Sequence, residues 1–117
     1  MKYFASTLNL KNDPALIQKY IDHHKNVWPG ILKSVRRSGI TQCKIFICGR
    51  QLFMYMETTD DYDPKGTDNL PNSYTPEEKE LDDQWQELMQ NFQEQIPGHP
   101  KDMWWIPMDE IFDLDRA

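Results

Sequence analysis

Apolar positions recur along this chain with two periods, and the switches between them mark the elements. Tyr3 to Leu10 (YFASTLNL) reads as a strand closed by the turn cluster Lys11-Asn12-Asp13. Asp13-Pro14 then offers an N-cap followed by proline at the first helical position. Leu16, Ile17, Tyr20, Ile21, Val27, Trp28, Ile31, Leu32 and Val35 follow at the spacing of one helical stripe, which runs to Arg37 and the terminating Gly39. Pro29 removes a donor and crowds the preceding turn, so it predicts a kink or a division there.

Ile40 to Cys48 and Leu52 to Thr58 flank Gly49-Arg50-Gln51 and read as a β-hairpin. In its second strand Leu52, Met54 and Met56 share one face, and Phe53, Tyr55 and Glu57 the other. Asp60 to Thr75 is polar and reads as one long loop with a weakly ordered part. Thr75-Pro76-Glu77 opens a second helix with the stripe Leu81, Trp85, Leu88, Met89, Phe92 and Ile96, ended by Pro97-Gly98. Trp104 to Leu114 reads as the last strand. The order β-α-β-β-α-β predicts an α+β, ferredoxin-like domain, its antiparallel sheet covered on one face by two helices. The second sheet face, carrying Met, Phe and Ile, is then left for a copy of the chain, and a homodimer is expected.

Length and composition narrow this picture. A chain of 117 residues is expected to form a single domain, residues 1–117, and no internal repeat competes with that reading. Apolar content of 38% is modest, but four Trp can fill much of a small core. A net charge of −6 argues against nucleic acid or an anionic membrane, both of which select basic patches. No apolar run approaches the roughly 18 residues of a membrane span. MKYFASTLNL has no continuous apolar centre or small-residue cleavage site, so no signal peptide is expected. Cys43 and Cys48, five positions apart in one strand, should face opposite ways, as two buried free thiols and not a disulfide. The expectation is a soluble, cytoplasmic protein.

The chemistry centres on KYIDHHKNVWPG, Lys19 to Gly30. Adjacent helical residues point about 100° apart, so His23 and His24 cannot both reach one metal ion from a regular helix. His99 lies in a Pro/Gly loop, and no Cys or carboxylate has matching spacing, so no metal is expected. Both cysteines sit among β-formers and not at a helix N-terminus that would activate a thiol. General acid–base chemistry fits better. His24 falls inside the apolar stripe with Tyr20 one turn before it, while His23 lies on the polar side as a surface residue. An imidazole among apolar neighbours can give or take a proton near neutrality, and a phenol beside it can meet a hydroxylated ligand. The plain alternative is that His24 is a satisfied core residue. Trp28, Trp85, Trp104 and Trp105 could line a carbohydrate site, and each has the equally plain reading of core filling.

Tyr20-x-x-x-His24-x-x-Val27-Trp28-Pro29, then Gly39-Ile40 and Leu52-Phe53-Met54, resembles the L-rhamnose mutarotase family. Trp85-x-x-Leu88-Met89-x-x-Phe92-Gln93 and Trp105-x-x-Met108-x-x-Ile111-Phe112 extend the resemblance over nearly the whole chain, in the family's order. It implies a dimeric α/β barrel that interconverts the anomers of an L-sugar without metal or organic cofactor. The family's proton donor falls on His24 and its helix tyrosine, a sugar contact, on Tyr20. Trp85, Gln86, Cys43, Trp28 and Trp105 complete the implied substrate-binding set. The chain departs from the family pattern at Gly30, Cys43 and Gln86, where Glu, Tyr and a second Trp are common. His23 and Trp104 are additions to it. L-rhamnose and L-fucose both remain open as the 6-deoxy-L-hexose. The contrasting reading is a non-catalytic dimeric barrel binding a small ligand or a partner. A cofactor-free monooxygenase has only the fold in its favour.

Overall fold

The computed structural model describes residues 1–62 and 75–116. Its elements are β1 (Lys2–Leu10), α1 (Pro14–Lys25), α2 (Pro29–Arg37), β2 (Ile40–Cys48), β3 (Gln51–Thr58), α3 (Pro76–Gln90), β4 (Gln93–Glu94) and β5 (Ile106–Pro107), before a 3-10 turn at Leu114–Arg116. Most of the polar stretch from Asp60 to Thr75 lies outside the described residues. The sheet order is β2-β3-β1-β4, with β5 also on β1, and every pairing is antiparallel. That is the expected ferredoxin-like topology.

The helix starts follow the sequence closely. Asp13 accepts from the Ala15 and Leu16 amides, and Pro14 fills the first turn where no donor is needed. Thr75 and Glu78 form a reciprocal capping box at the start of α3. The long first stripe is divided, as Pro29 predicts: α1 stops at Lys25, and Pro29 opens α2. The division lets Trp28 turn inward between the two helices, where it packs against the core.

Strand register decides which residues face the helices. Leu8 lies opposite Leu52, and Leu52 opposite Ile47, so these side chains share one sheet face. Leu10, Tyr20, Ile31, Leu52, Trp85, Met89 and Phe92 form the buried core between that face and the helices. A Cβ on Gly30 would sit 2.5 Å from the Leu81 side chain, so a bare backbone at that point lets α3 close on α2. On the opposite face Phe46 and Phe53 pair across the strands, and Phe46 is 55% exposed.

Three expectations are corrected. The second helix stops at Gln90 and does not continue to Ile96, because Phe92–Glu94 is drawn to the sheet edge. There the Phe92 carbonyl accepts from the Lys11 amide at 2.9 Å, and Leu10 pairs with Gln93. The last strand shrinks from Trp104–Leu114 to Ile106–Pro107, with Met108 adding one further bond to the Ala5 carbonyl. Pro107 has no amide proton to extend a ladder, and Ile111 is 96% exposed and pairs with no strand among the described residues. The two cysteines do face opposite ways and are free, but both are exposed, because β2 is an edge strand. No described helix is long and apolar enough to cross a membrane.

Candidate active site

A cavity of about 500 Å³ opens between the α1–α2 pair and the hairpin. Its walls are Tyr20, Ile21 and His24 from α1, Val27 from the break, and Ile31, Leu32 and Val35 from α2. The facing wall is Cys43, Ile45 and Ile47 of β2 and Leu52 of β3, and Trp85 of α3 closes one side. Tyr20, His24, Cys43 and Trp85 bring polar atoms to a lining otherwise made of hydrocarbon.

The two histidines are separated as helical geometry requires. His24 turns to the cavity, its ring 4.5 Å from that of Tyr20 and edge-on to Trp85 at 5.8 Å, centroid to centroid. His23 is not a free surface residue: it is half-buried, and its ring lies 5.4 Å from Phe92. No described group of three or more His, Cys, Asp or Glu is placed to hold a metal ion.

Hydrogen bonding sets the character of each polar group. His24 Nδ1 lies 2.9 Å from the Tyr20 carbonyl oxygen. A carbonyl can only accept, so Nδ1 carries the proton and Nε2 of the neutral ring is left with its lone pair. Burial pushes the His24 pKa below its usual 6.5, against the opposing effect of that carbonyl and with a small contribution from His23. The imidazole is therefore neutral at pH 7 and able to take a proton. Tyr20 is 3% exposed, and its hydroxyl accepts from the Gln93 side-chain amide at 3.4 Å. Burial raises its pKa above 10, partly offset by Gln93, so it stays a protonated donor at neutral pH. Desolvation at the cavity wall likewise pushes the Cys43 thiol upward, favouring the protonated thiol over the thiolate.

The structure brings together Tyr20, His24, Cys43 and Trp85 of the residues expected from sequence. Trp28 stands behind Trp85, edge-on at 5.1 Å, and fixes that ring without lining the cavity. Gln86 is exposed and bonds Asp82, one turn back on the same helix. Trp105 packs against the core from outside the cavity. Gln93 is the neighbour that sequence reasoning did not assign to the site. It stands there only as the last residue of the motif Trp85-x-x-Leu88-Met89-x-x-Phe92-Gln93, and no spacing signals that it becomes a buried edge residue behind Tyr20.

Comparison with known proteins agrees with this fold. The L-rhamnose mutarotase family model matches residues 3–114. A UPF0734 protein of Dictyostelium discoideum is 40% identical over 97% of this chain and 90% of its own. An L-fucose mutarotase of Xanthomonas campestris is 32% identical over 100% of this chain and 91% of its own. In chain trace the molecule is similar to the crystal structure of an L-rhamnose mutarotase from Formosa agariphila, with a TM-score of 0.67, 20% identity and coverage of 97% and 99% of the two chains. On the match of sequence along almost its whole length, the chain belongs to the L-rhamnose mutarotase family.

Proposed function

We propose that this protein is a cofactor-independent mutarotase that interconverts the α and β anomers of a 6-deoxy-L-hexose, with His24 and Tyr20 transferring the protons. The observation that carries the reading is their adjacency on one cavity wall, with His24 Nδ1 committed to the Tyr20 carbonyl. Family membership and the 32% identity to an L-fucose mutarotase support the same reaction.

Opening a pyranose requires loss of the anomeric hydroxyl proton and gain of one at the ring oxygen. In the proposed step His24 Nε2 takes the O1 proton as the C1=O1 double bond forms. The C1–O5 bond breaks, and O5 takes the Tyr20 hydroxyl proton. An imidazolium–phenolate pair is left side by side. Rotation about C1–C2 presents the other carbonyl face, and on reclosure O5 gives its proton back to Tyr20 while His24 returns the other to O1. No electron or group is transferred, so the two side chains suffice. Trp85 offers a flat wall for the sugar's C–H face, and Cys43 sits across the cavity from it. The hydrocarbon lining suits a C6 methyl better than a C6 hydroxymethyl, which would need a partner.

The proposed setting is a homodimer in the cytoplasm. Support for pairing comes from the uncovered sheet face, with Tyr3 42%, Phe46 55% and Phe53 37% exposed. Two exposed free thiols suit a reducing compartment. Saturation-difference NMR on L-fucose and L-rhamnose tests the reaction, with His24→Ala as control. Acceleration of anomer exchange that is lost in the variant is the expected result. No acceleration on either sugar would leave a non-catalytic binding module as the better account, and full activity in the variant would remove His24 from the mechanism.

A further inference from the structure

We infer that Gln93 is a positioning residue for this reaction: its buried amide holds the Tyr20 hydroxyl as an acceptor, so that the phenol turns its proton to the cavity. The consequence for catalysis rests on the mutarotase reading; the hydrogen bond itself does not.

Gln93 is a polar side chain only 3% exposed, and its Nε2 stands 3.4 Å from Tyr20 Oη. Its backbone is held by the β4–β1 pairing opposite Leu10, and the preceding residue by the Lys11 amide. The amide therefore comes from the sheet edge and not from the mobile side of a helix. A hydroxyl has one proton. When Gln93 donates to the phenol oxygen, the phenol's own proton is left for another acceptor, and no described residue supplies one. The arrangement repeats the logic at His24, where a buried carbonyl fixes which ring nitrogen carries the proton. Each of the two groups thus has a fixed partner behind it, and the wall presents one donor and one acceptor. A hemiacetal presents the complement, a donor at its anomeric hydroxyl and an acceptor at its ring oxygen. Without Gln93 the phenol could rotate and offer a lone pair where the ring oxygen needs a proton. The smaller effect of Gln93 on Tyr20 acidity, opposing that of burial, has the direction expected of a donor to the phenol oxygen.

The test uses the full chain with Gln93→Leu and the near-isosteric Gln93→Glu, and Tyr20→Phe for reference. Ring-carbon NMR of Tyr20 in the ligand-free protein follows the phenol titration, and anomer-exchange kinetics follow turnover. Gln93→Leu should move the phenol midpoint further upward and slow kcat about tenfold, with KM within about twofold. Gln93→Glu, whose carboxylate accepts the phenol proton, should slow kcat as much as Tyr20→Phe. An unshifted phenol midpoint in Gln93→Leu would overturn the proposal, as would wild-type turnover in Gln93→Glu. If Gln93→Leu does not fold, the Glu variant decides. If the wild-type chain accelerates no sugar, the mutarotase reading fails separately, and the titration still decides the bond between Gln93 and Tyr20.

Discussion

The His24 ring lies 4.5 Å from the ring of Tyr20, centroid to centroid, and its Nδ1 donates back to the Tyr20 carbonyl at 2.9 Å. This contact within one helix turn makes His24 a base at rest. The pH–rate profile should therefore hold its plateau to below pH 6.5 on the acid side, because the lowered pKa keeps Nε2 unprotonated there. Its alkaline limb should lie above pH 10, where Tyr20 at last loses its proton. His24→Ala and Tyr20→Phe should each cost on the order of 100-fold in kcat, each removing the limb its residue controls.

The same lowered pKa carries a stability signature. The unfolded chain binds a proton to His24 more readily than the native one, so stability rises with pH across this range. The contribution is complete above pH 6.5 and is lost as pH falls through the depressed native value. Urea midpoints measured from pH 7.5 to 5 should fall less steeply toward acid in His24→Gln than in the wild type.

At the start of α3, Glu78 receives the Arg37 guanidinium and the Thr75 amide, and its pKa falls to about 2, the Arg37 hydrogen bond being the largest cause. This carboxylate favours the folded state above pH 4.5, and the effect disappears as pH drops toward 2. Glu78→Gln should lower Tm at neutral pH and flatten the acid dependence in that window, as followed by circular dichroism.

Gly39 holds φ +108° between α2 and β2, and a Cβ there would meet Thr59 Oγ1 at 2.8 Å. Gly39→Ala should destabilise the protein by about 1–2 kcal/mol for the backbone alone, with the contact adding to it. Chemical denaturation measures this directly. A neutral result would mean that the turn relaxes without cost.

Phe53, on the open sheet face, tests the proposed homodimer. A charge at this position should oppose burial against a second copy while leaving the helix side of the sheet alone. Sedimentation should show a dimer for the wild type and a monomer for Phe53→Glu. A monomeric wild type would remove the dimer from the proposal.

Much of this was legible without coordinates. Asp13-Pro14, Pro29 and Thr75-Pro76 mark helix starts because capping and the missing proline amide act within one turn. Alternation in the hairpin and the stripe through Tyr20, His24 and Trp28 set which faces are buried, since side-chain period follows directly from backbone geometry. The separation of His23 from His24 follows from the same geometry. What local rules could not supply is competition between distant segments. Whether Phe92–Glu94 continues a helix or joins a sheet depends on the free edge of β1 at Leu10, more than eighty residues earlier in the chain. Whether Cys43 is buried depends on β2 being an edge strand. The pairing of the Gln93 amide with the Tyr20 hydroxyl exists only because the fold closes those segments against each other. Sequence determined the Tyr20–His24 pair, whose partners lie one helix turn apart; tertiary structure decided what stands behind it and which residues enclose it.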